Sequence, residues 1–292
     1  MNEAQQKTSV QIVNAFVKDG SGGNPAGVVL DADGLSDDAM LKIAQQVGLS
    51  ETAFVSRSET EGFKLDFFTP TRRIAHCGHA TVATFSYLAS LNRVGEGETS
   101  KETVDGPRKI VLKDGAAYMG QLAPSYKSVE KEAVLASLSL SPSDLDERLD
   151  PILVNTGNNF IVLAVRDEEV LKNLKPDFDL IEKISNDYDL IGYYVFVGKE
   201  SDEGVDASAR MFAPRYGITE EAATGMAAGP LACVLYDHLH VKKDTLVIEQ
   251  GHFMDTPSPS RITVELDLKD GQIQGLLAGG LGKVMQAMEV SV

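Results

Sequence analysis

The chain has 292 residues and a formal net charge of −16. That length accommodates two domains with substantial cores, and the acidic balance argues against nucleic acid or an anionic membrane as partner, since both need clustered Lys and Arg. Cys77 and Cys233 are the two cysteines and form no CxxC pair, so no disulfide framework is expected. Met1-Asn2-Glu3-Ala4-Gln5-Gln6-Lys7 lacks the basic and apolar regions of a signal peptide, and no apolar stretch is long enough to span a bilayer. The expected location is therefore cytoplasmic.

Residues 10–17 read as a strand leading into Gly20-Ser21-Gly22-Gly23-Asn24-Pro25. These glycines superficially suggest a dinucleotide loop, but a β-branched run at 26–30 follows where such a loop needs a helix. A turn between two strands is the better reading. Residues 36–47 have helical spacing, with Leu35, Met40, Ile43, Ala44 and Val47 on one face and Ser36 as cap. A strand from Glu51 to 55, another at 63–68, and strands at 109–112 and 117–122 follow. Between them stands a helix at about 78–91 whose apolar and small residues cover most of its circumference.

Ala123-Pro124-Ser125-Tyr126 reads as a linker, 129–138 as an exposed acidic helix, and Ser141-Pro142-Ser143-Asp144 as a turn or cap. Strands are expected near Ile152 and at 160–165, 193–197 and 207–212. A second apolar helix spans about 225–236, strands return at 246–249 and 262–266, and 284–292 alternates enough to be a last strand that crosses back to the first lobe. The domain reading is an N-terminal lobe at 1–122, completed by a C-terminal strand at 283–292, and a C-terminal lobe at 123–282.

Several blocks occur twice in the same order. Gly23-Asn24-Pro25-Ala26-Gly27-Val28-Val29-Leu30 is echoed by Gly157-Asn158-Asn159-Phe160-Ile161-Val162-Leu163. Ala53-Phe54-Val55 is echoed by Val195-Phe196-Val197. Phe68-Thr69-Pro70 leads to Cys77-Gly78-His79-Ala80-Thr81, as Phe212-Ala213-Pro214 leads to Ala223-Thr224-Gly225-Met226-Ala227-Ala228. Three matches in order argue for two similar lobes, and the spacing is far too long for a solenoid. Two helix N-termini facing one cleft would offer free backbone N–H groups to a small carboxylate-bearing ligand.

His76, Cys77 and His79 invite a zinc reading, yet three candidate ligands within four residues and no second cluster make a poor tetrahedral site. No metal is expected. Cys77 at a helix start is either a thiol activated by the helix N-terminus or a packed one, and Cys233 reads as a buried apolar thiol. His79 either orients substrate or is a satisfied histidine at a helix start. His238 and His240 meet a helix C-terminus and need no function. From spacing alone, Glu51 reads as a surface carboxylate that caps or salt-bridges a turn.

Ser50-Glu51-Thr52-Ala53-Phe54-Val55, the Cys77-Gly78-His79-Ala80-Thr81 block and Glu220-Glu221-Ala222-Ala223-Thr224-Gly225 together resemble the phenazine-biosynthesis isomerase family, the PhzF-like proteins. Gly23-Asn24-Pro25-Ala26-Gly27, Gln250-Gly251 with Met254, and Gly282-Lys283-Val284 extend the resemblance over nearly the whole chain. It implies an α+β fold of two pseudo-symmetric diaminopimelate epimerase-like lobes, each a curled, mainly antiparallel sheet around a central apolar helix. The expected active site lies between the lobes, without metal or organic cofactor, in a homodimer. Glu51 falls on the family's catalytic glutamate, which moves a proton between substrate carbons. Gly78 and His79 fall on active-site positions, Glu221 stands where better-known members have Asp, and Met226 where they have Ser.

In diaminopimelate epimerase the position of Cys77 carries one of two catalytic cysteines; here the opposite position is Thr224, too weak an acid to be a second base. The expectation is a cofactor-independent proton shift carried by Glu51. His79, Glu221, Met226 and the amides of Gly78 and Gly225 would bind the substrate, with Cys77 and Thr224 as accessory groups. Amino-acid epimerisation or dehydration through Cys77, and a binding protein without turnover, are the alternatives.

Overall fold

The structure, a computed structural model, describes residues 7–199 and 204–291. The N-terminal segment 1–6 and Val292, on which expectations also rested, lie outside the described residues. The chain divides into two compact units, Met1–Gly120 with Gly279–Val292, and Gln121–Ala278.

In the first unit, β1 (Lys7–Ala15) pairs antiparallel with β2 (Asn24–Val29). Helix α1 (Asp37–Val47) then carries the chain to β3 (Thr52–Ser56), which lies parallel to β2. Ser36 caps α1 by accepting from the Ala39 amide at 3.3 Å, and Gly48 ends it at φ 69°. Strand β4 (Phe63–Phe68) is antiparallel to β3 and to the short β5 (Arg73–Ile74). Helix α2 (Gly78–Ser90) leads to β6 (Gly97–Thr103), parallel to β4, and β7 (Gly106–Lys113) and β8 (Ala116–Leu122) follow as antiparallel neighbours.

The second unit opens with β9 (Ser125–Ser128), α3 (Lys131–Ser137) and β10 (Ile152–Asn155), where β9 and β10 pair. From there the order of pairings in the first unit recurs. β10 is antiparallel to β11 (Asn159–Ala164), and α4 (Glu168–Lys172) with α5 (Phe178–Asp187) connects β11 to its parallel neighbour β12 (Gly192–Gly198). β13 (Ala207–Ala213) is antiparallel to β12 and to β14 (Ile218–Glu221). Helix α6 (Gly225–Asp237) then leads to β15 (Thr245–Gln250), parallel to β13, and β16 (Ser260–Lys269) is antiparallel to β15. Each repeated sequence block falls on corresponding strands: β2 with β11, β3 with β12, β4 with β13.

Both apolar helices are buried on nearly every side. Only Tyr87, Ala89 and Ser90 of α2, and only Met226 and Asp237 of α6, escape the core. α2 packs on β1, β2 and β3, and α6 on β11 and β16. A satellite core joins α1 to the sheet through Met40, Ile43, Phe54 and Phe68, and another joins α3, α4 and α5 to β11 and β12 through Leu135, Leu171, Ile181, Ile161 and Val195.

Several expectations are corrected. Ser125 and Tyr126 belong to a paired strand, not a linker. The helix expected over 129–138 is shorter, and its Val134 and Leu135 are buried. The polar strand β6 and helices α4 and α5 had no counterpart in the reading of the sequence. The last strand, β17 (Gln272–Ser291), begins twelve residues before 284, and its Gly282–Ser291 portion pairs antiparallel with β1. Among the described residues no helix is long and apolar enough to cross a membrane.

Candidate active site

Three of the residues singled out by sequence meet in the first unit. Glu51 stands immediately before β3, where its carbonyl accepts from the Gly27 amide at 3.0 Å. Gly27 is needed there, because a Cβ on it would stand 2.8 Å from Thr52 Oγ1. Cys77 is the N-cap of α2, without a side-chain capping bond, and Gly78 and His79 form the first turn. The long crossover from β4 through α2 therefore brings the head of that helix back to the start of β3.

The three side chains form a compact cluster. Cys77 Sγ lies 3.6 Å from His79 Nδ1, and His79 Nε2 lies 3.4 Å from Glu51 Oε2. The His79 and Glu51 side chains are 4% and 11% exposed, so their electrostatic contact is little screened by water. Glu51 Oε2 is buried with no hydrogen-bond partner. Burial, partly offset by His79, pushes the Cys77 thiol above its ordinary pKa. Of the two readings of Cys77, the packed, protonated thiol is the one the geometry favours.

Glu51, Cys77 and His79 place one donor atom each within 4.8 Å of one another. His79 turns Nδ1 toward the thiol and Nε2 toward the carboxylate, so the ring can offer only one of these nitrogens to a single ion, and three protein donors leave a tetrahedral site incomplete.

Glu221, Thr224, Gly225 and Met226 cluster in the second unit around the head of α6. Thr224 is its N-cap, the position Cys77 holds on α2, again without a side-chain capping bond. Thr224 Oγ1 donates to Glu221 Oε2 at 2.5 Å, so this carboxylate already has a protein partner. Asn158 Nδ2 contacts Met226 Sδ at 3.6 Å, and the Gly225 carbonyl accepts from Gln121 Nε2 at 2.9 Å.

The loop carrying Glu221 and Thr224 is fixed by a residue to which the sequence assigned no role. Gln250, at the end of β15 and 1% exposed, donates to the Glu221 carbonyl at 2.6 Å and to Thr224 Oγ1 at 3.2 Å. Its Oε1 accepts from the Thr224 amide at 3.1 Å and from Tyr194 Oη at 2.8 Å. Burial raises the Tyr194 hydroxyl far above its ordinary range and keeps it a donor. Gly251 follows at φ 82°, where a Cβ would meet the Ser258 carbonyl at 2.2 Å. Upstream, Arg210 pairs with Glu220 through two 2.8 Å bonds. A buried glutamine beside a conformationally required glycine was the available signal, legible only once β15 is brought against the loop.

Residues 13–286 match the family described as phenazine biosynthesis-like protein. An uncharacterized isomerase of Clostridium acetobutylicum is 34% identical over 246 residues, covering 80% of each chain. The trans-2,3-dihydro-3-hydroxyanthranilate isomerase of Pseudomonas aeruginosa is 30% identical over 293 residues, covering 96% of this chain and 94% of that protein. A crystal structure of a PhzF-family phenazine biosynthesis protein from Bacillus anthracis superposes with a TM-score of 0.88 at 28% identity, covering 98% of this chain and 100% of the other. With repeated pairing order, similarly built helix heads and near-complete coverage in agreement, the chain belongs to the phenazine biosynthesis-like protein family.

Proposed function

We propose that this protein is an isomerase that moves a proton between carbons of a small carboxylate-bearing metabolite, with Glu51 as the proton carrier and without a cofactor. The observation that carries this reading is Glu51 Oε2: buried, without a hydrogen-bond partner, and 3.4 Å from His79 Nε2. In the forward step the Glu51 carboxylate takes a proton from a carbon adjacent to an electron-accepting group. The carbon's bonding pair becomes the delocalised anion, and Glu51 returns the same proton at a second carbon. His79 adjoins the carboxylate on which the proton resides. The backbone N–H groups and the dipole at the head of α2 suit the negative charge that develops on the substrate.

Glu221, Gly225 and Met226 are assigned to substrate binding by their match to the family pattern. Glu221 offers a carboxylate where better-known members have the shorter Asp, and Met226 offers a thioether where they have a hydroxyl. Both changes favour a substrate other than the one named for the Pseudomonas relative. The names of the relatives, isomerases in both cases, support the reaction class.

A Cys77-based epimerisation is less well supported, because the thiol is buried and held protonated and its counterpart on α6 is Thr224. The test is proton NMR in deuterated water over a panel of small amino, hydroxy and unsaturated carboxylic acids, trans-2,3-dihydro-3-hydroxyanthranilate included, alongside thermal-shift binding. A proton shift with deuterium entering the accepting carbon is the expected result. Thermal stabilisation by a panel member without any exchange or isomerisation would instead identify a binding protein.

A further inference from the structure

Strand β6 carries Lys101, whose side chain is 0% exposed. Nothing in the sequence marks this lysine, which lies in the run Gly97-Glu98-Thr99-Ser100-Lys101-Glu102-Thr103. Its Nζ donates to Thr81 Oγ1 at 2.5 Å, lies 3.1 Å from His76 Nδ1, and stands 4.7 Å from the centre of the Phe67 ring. No carboxylate pairs with it among the described residues. An apolar side chain of this length would fill the space without the desolvation penalty of an amine. The donors of the amine, rather than its bulk, therefore call for an explanation.

We propose that Lys101 is a positioning residue for the proton-transfer pair: it ties His76 and Thr81 together across the base of the Cys77-Gly78-His79 turn, and so sets where His79 stands against Glu51. The two bonds flank the turn on either side. Thr81 relays the first inward, since its own hydroxyl donates to the Cys77 carbonyl at 2.6 Å. His76 receives the second on Nδ1, which must then be the unprotonated nitrogen. The segment between β5 and α2 has no ladder bonds of its own, so this clamp supplies what a strand neighbour would otherwise supply. His79 meets Cys77 again through the 3.6 Å contact to Sγ.

The charge states agree with the geometry. Burial first, and then the Lys101 charge, lowers His76 to about 3, so the ring is a neutral acceptor at physiological pH. Burial lowers Lys101 to about 7, partly offset by Cys77 and Asp105 and reinforced by Arg108. These four groups, His76, Cys77, Asp105 and Arg108, are the titratable ones acting on the amine. From the helix and from β4, its neighbours are the uncharged Thr81 and Phe67. Loss of one proton leaves two N–H donors, enough for Thr81 and His76 but without the cation over the Phe67 ring.

The positional claim stands independently of the reaction; only its consequence for turnover rests on the proton-shift reading. The experiment is long-range proton–nitrogen NMR of the five histidine rings in the full chain, wild type against Lys101→Met, with no ligand added. Wild type should show His76 as the tautomer with Nδ1 unprotonated, and His79 as one species. In Lys101→Met the His76 pattern is lost and the His79 signals shift or double, while His238, His240 and His252 stay in place. His79 signals identical to wild type in the folded variant would overturn the proposal.

If Lys101→Met does not fold, Thr81→Val severs the same link with the lysine left in place, and the same His79 displacement is required of it. In the isomerase assay, Lys101→Met should lower kcat by up to about 100-fold with little change in KM, a split that loss of packing alone does not give. Intact histidine spectra with no reaction in wild type would count against the isomerase reading and leave the clamp standing.

Discussion

The heads of α2 and α6 are built on the same plan and carry different chemistry. Each helix follows a short strand antiparallel to the one before it, begins with glycine, and has an N-cap residue with no capping bond: Cys77 in one, Thr224 in the other. The corresponding strands β3 and β12 are each the parallel partner of the strand before them. Only β3 is preceded by an acid. The corresponding start of β12 reads Ile191-Gly192-Tyr193, with no carboxylate.

The carboxylates near the two helices also differ in how fully they are engaged. Glu51 Oε2 has no hydrogen-bond partner, whereas Glu221 Oε2 accepts from Thr224 and the loop around it is tied down by Gln250. One unit leaves a carboxylate oxygen without a hydrogen-bond partner, and the other holds its acid in place. Such an asymmetry suits a single proton carrier and a fixed binding group rather than two matched bases. The Lys101 clamp deepens the contrast, because the first unit fixes its helix head with an amine that titrates near neutral pH and the second with a neutral amide.

The largest effect should come from the open carboxylate. Glu51→Gln keeps the shape and removes the base, and isomerisation should fall by about 100- to 10,000-fold in an NMR turnover assay. Stability changes come next and should appear in the second unit. Arg210→Met leaves Glu220 without its partner at 15% side-chain exposure, and should cost about 3 kcal/mol in urea unfolding. Gln250→Leu strips partners from the Thr224 amide, the Tyr194 hydroxyl and the Glu221 carbonyl, for roughly 2–3 kcal/mol, and should raise KM more than it lowers kcat.

The smallest effect is expected at the thiols. Burial raises Cys77 and pushes Cys233 up to about 12, so both are protonated at pH 8. Native protein should react with a thiol reagent far more slowly than unfolded protein, and Cys77→Ser should retain activity within about tenfold. A fast, stoichiometric reaction of one native thiol would revive the cysteine-based reading.

How much of this was legible in the sequence follows from how local each signal is. The two apolar helices were readable because α2 and α6 are apolar almost all round, a pattern that fits only burial. The repeated blocks fell on corresponding strands because each is a strand–turn unit with its own local logic. Strand β6 was invisible because six of its seven residues are polar or charged and its place comes from ladder bonds to β4 and β7. Lys101 shared that fate, since a lysine in a polar run reads as solvated until the fold covers it.

The site divides in the same way. Glu51 and His79 came from motif resemblance, and no spacing rule could pair them, because they are joined by a crossover connection rather than a shared element. Gln250 lay in plain view, but its meaning depends on bonds to residues about thirty positions away. The thiol of Cys77 was ambiguous in sequence because a helix N-terminus and burial act on it in opposite directions. Burial wins in the folded chain.

The central claim, one proton carrier at the head of α2, is tested most directly by deuterium entry into a substrate found in the panel, followed in parallel for wild type, Glu51→Gln and Cys77→Ser. The account predicts exchange in wild type and Cys77→Ser and its loss in Glu51→Gln. Exchange that survives in Glu51→Gln and vanishes in Cys77→Ser would contradict it and assign the proton to the thiol.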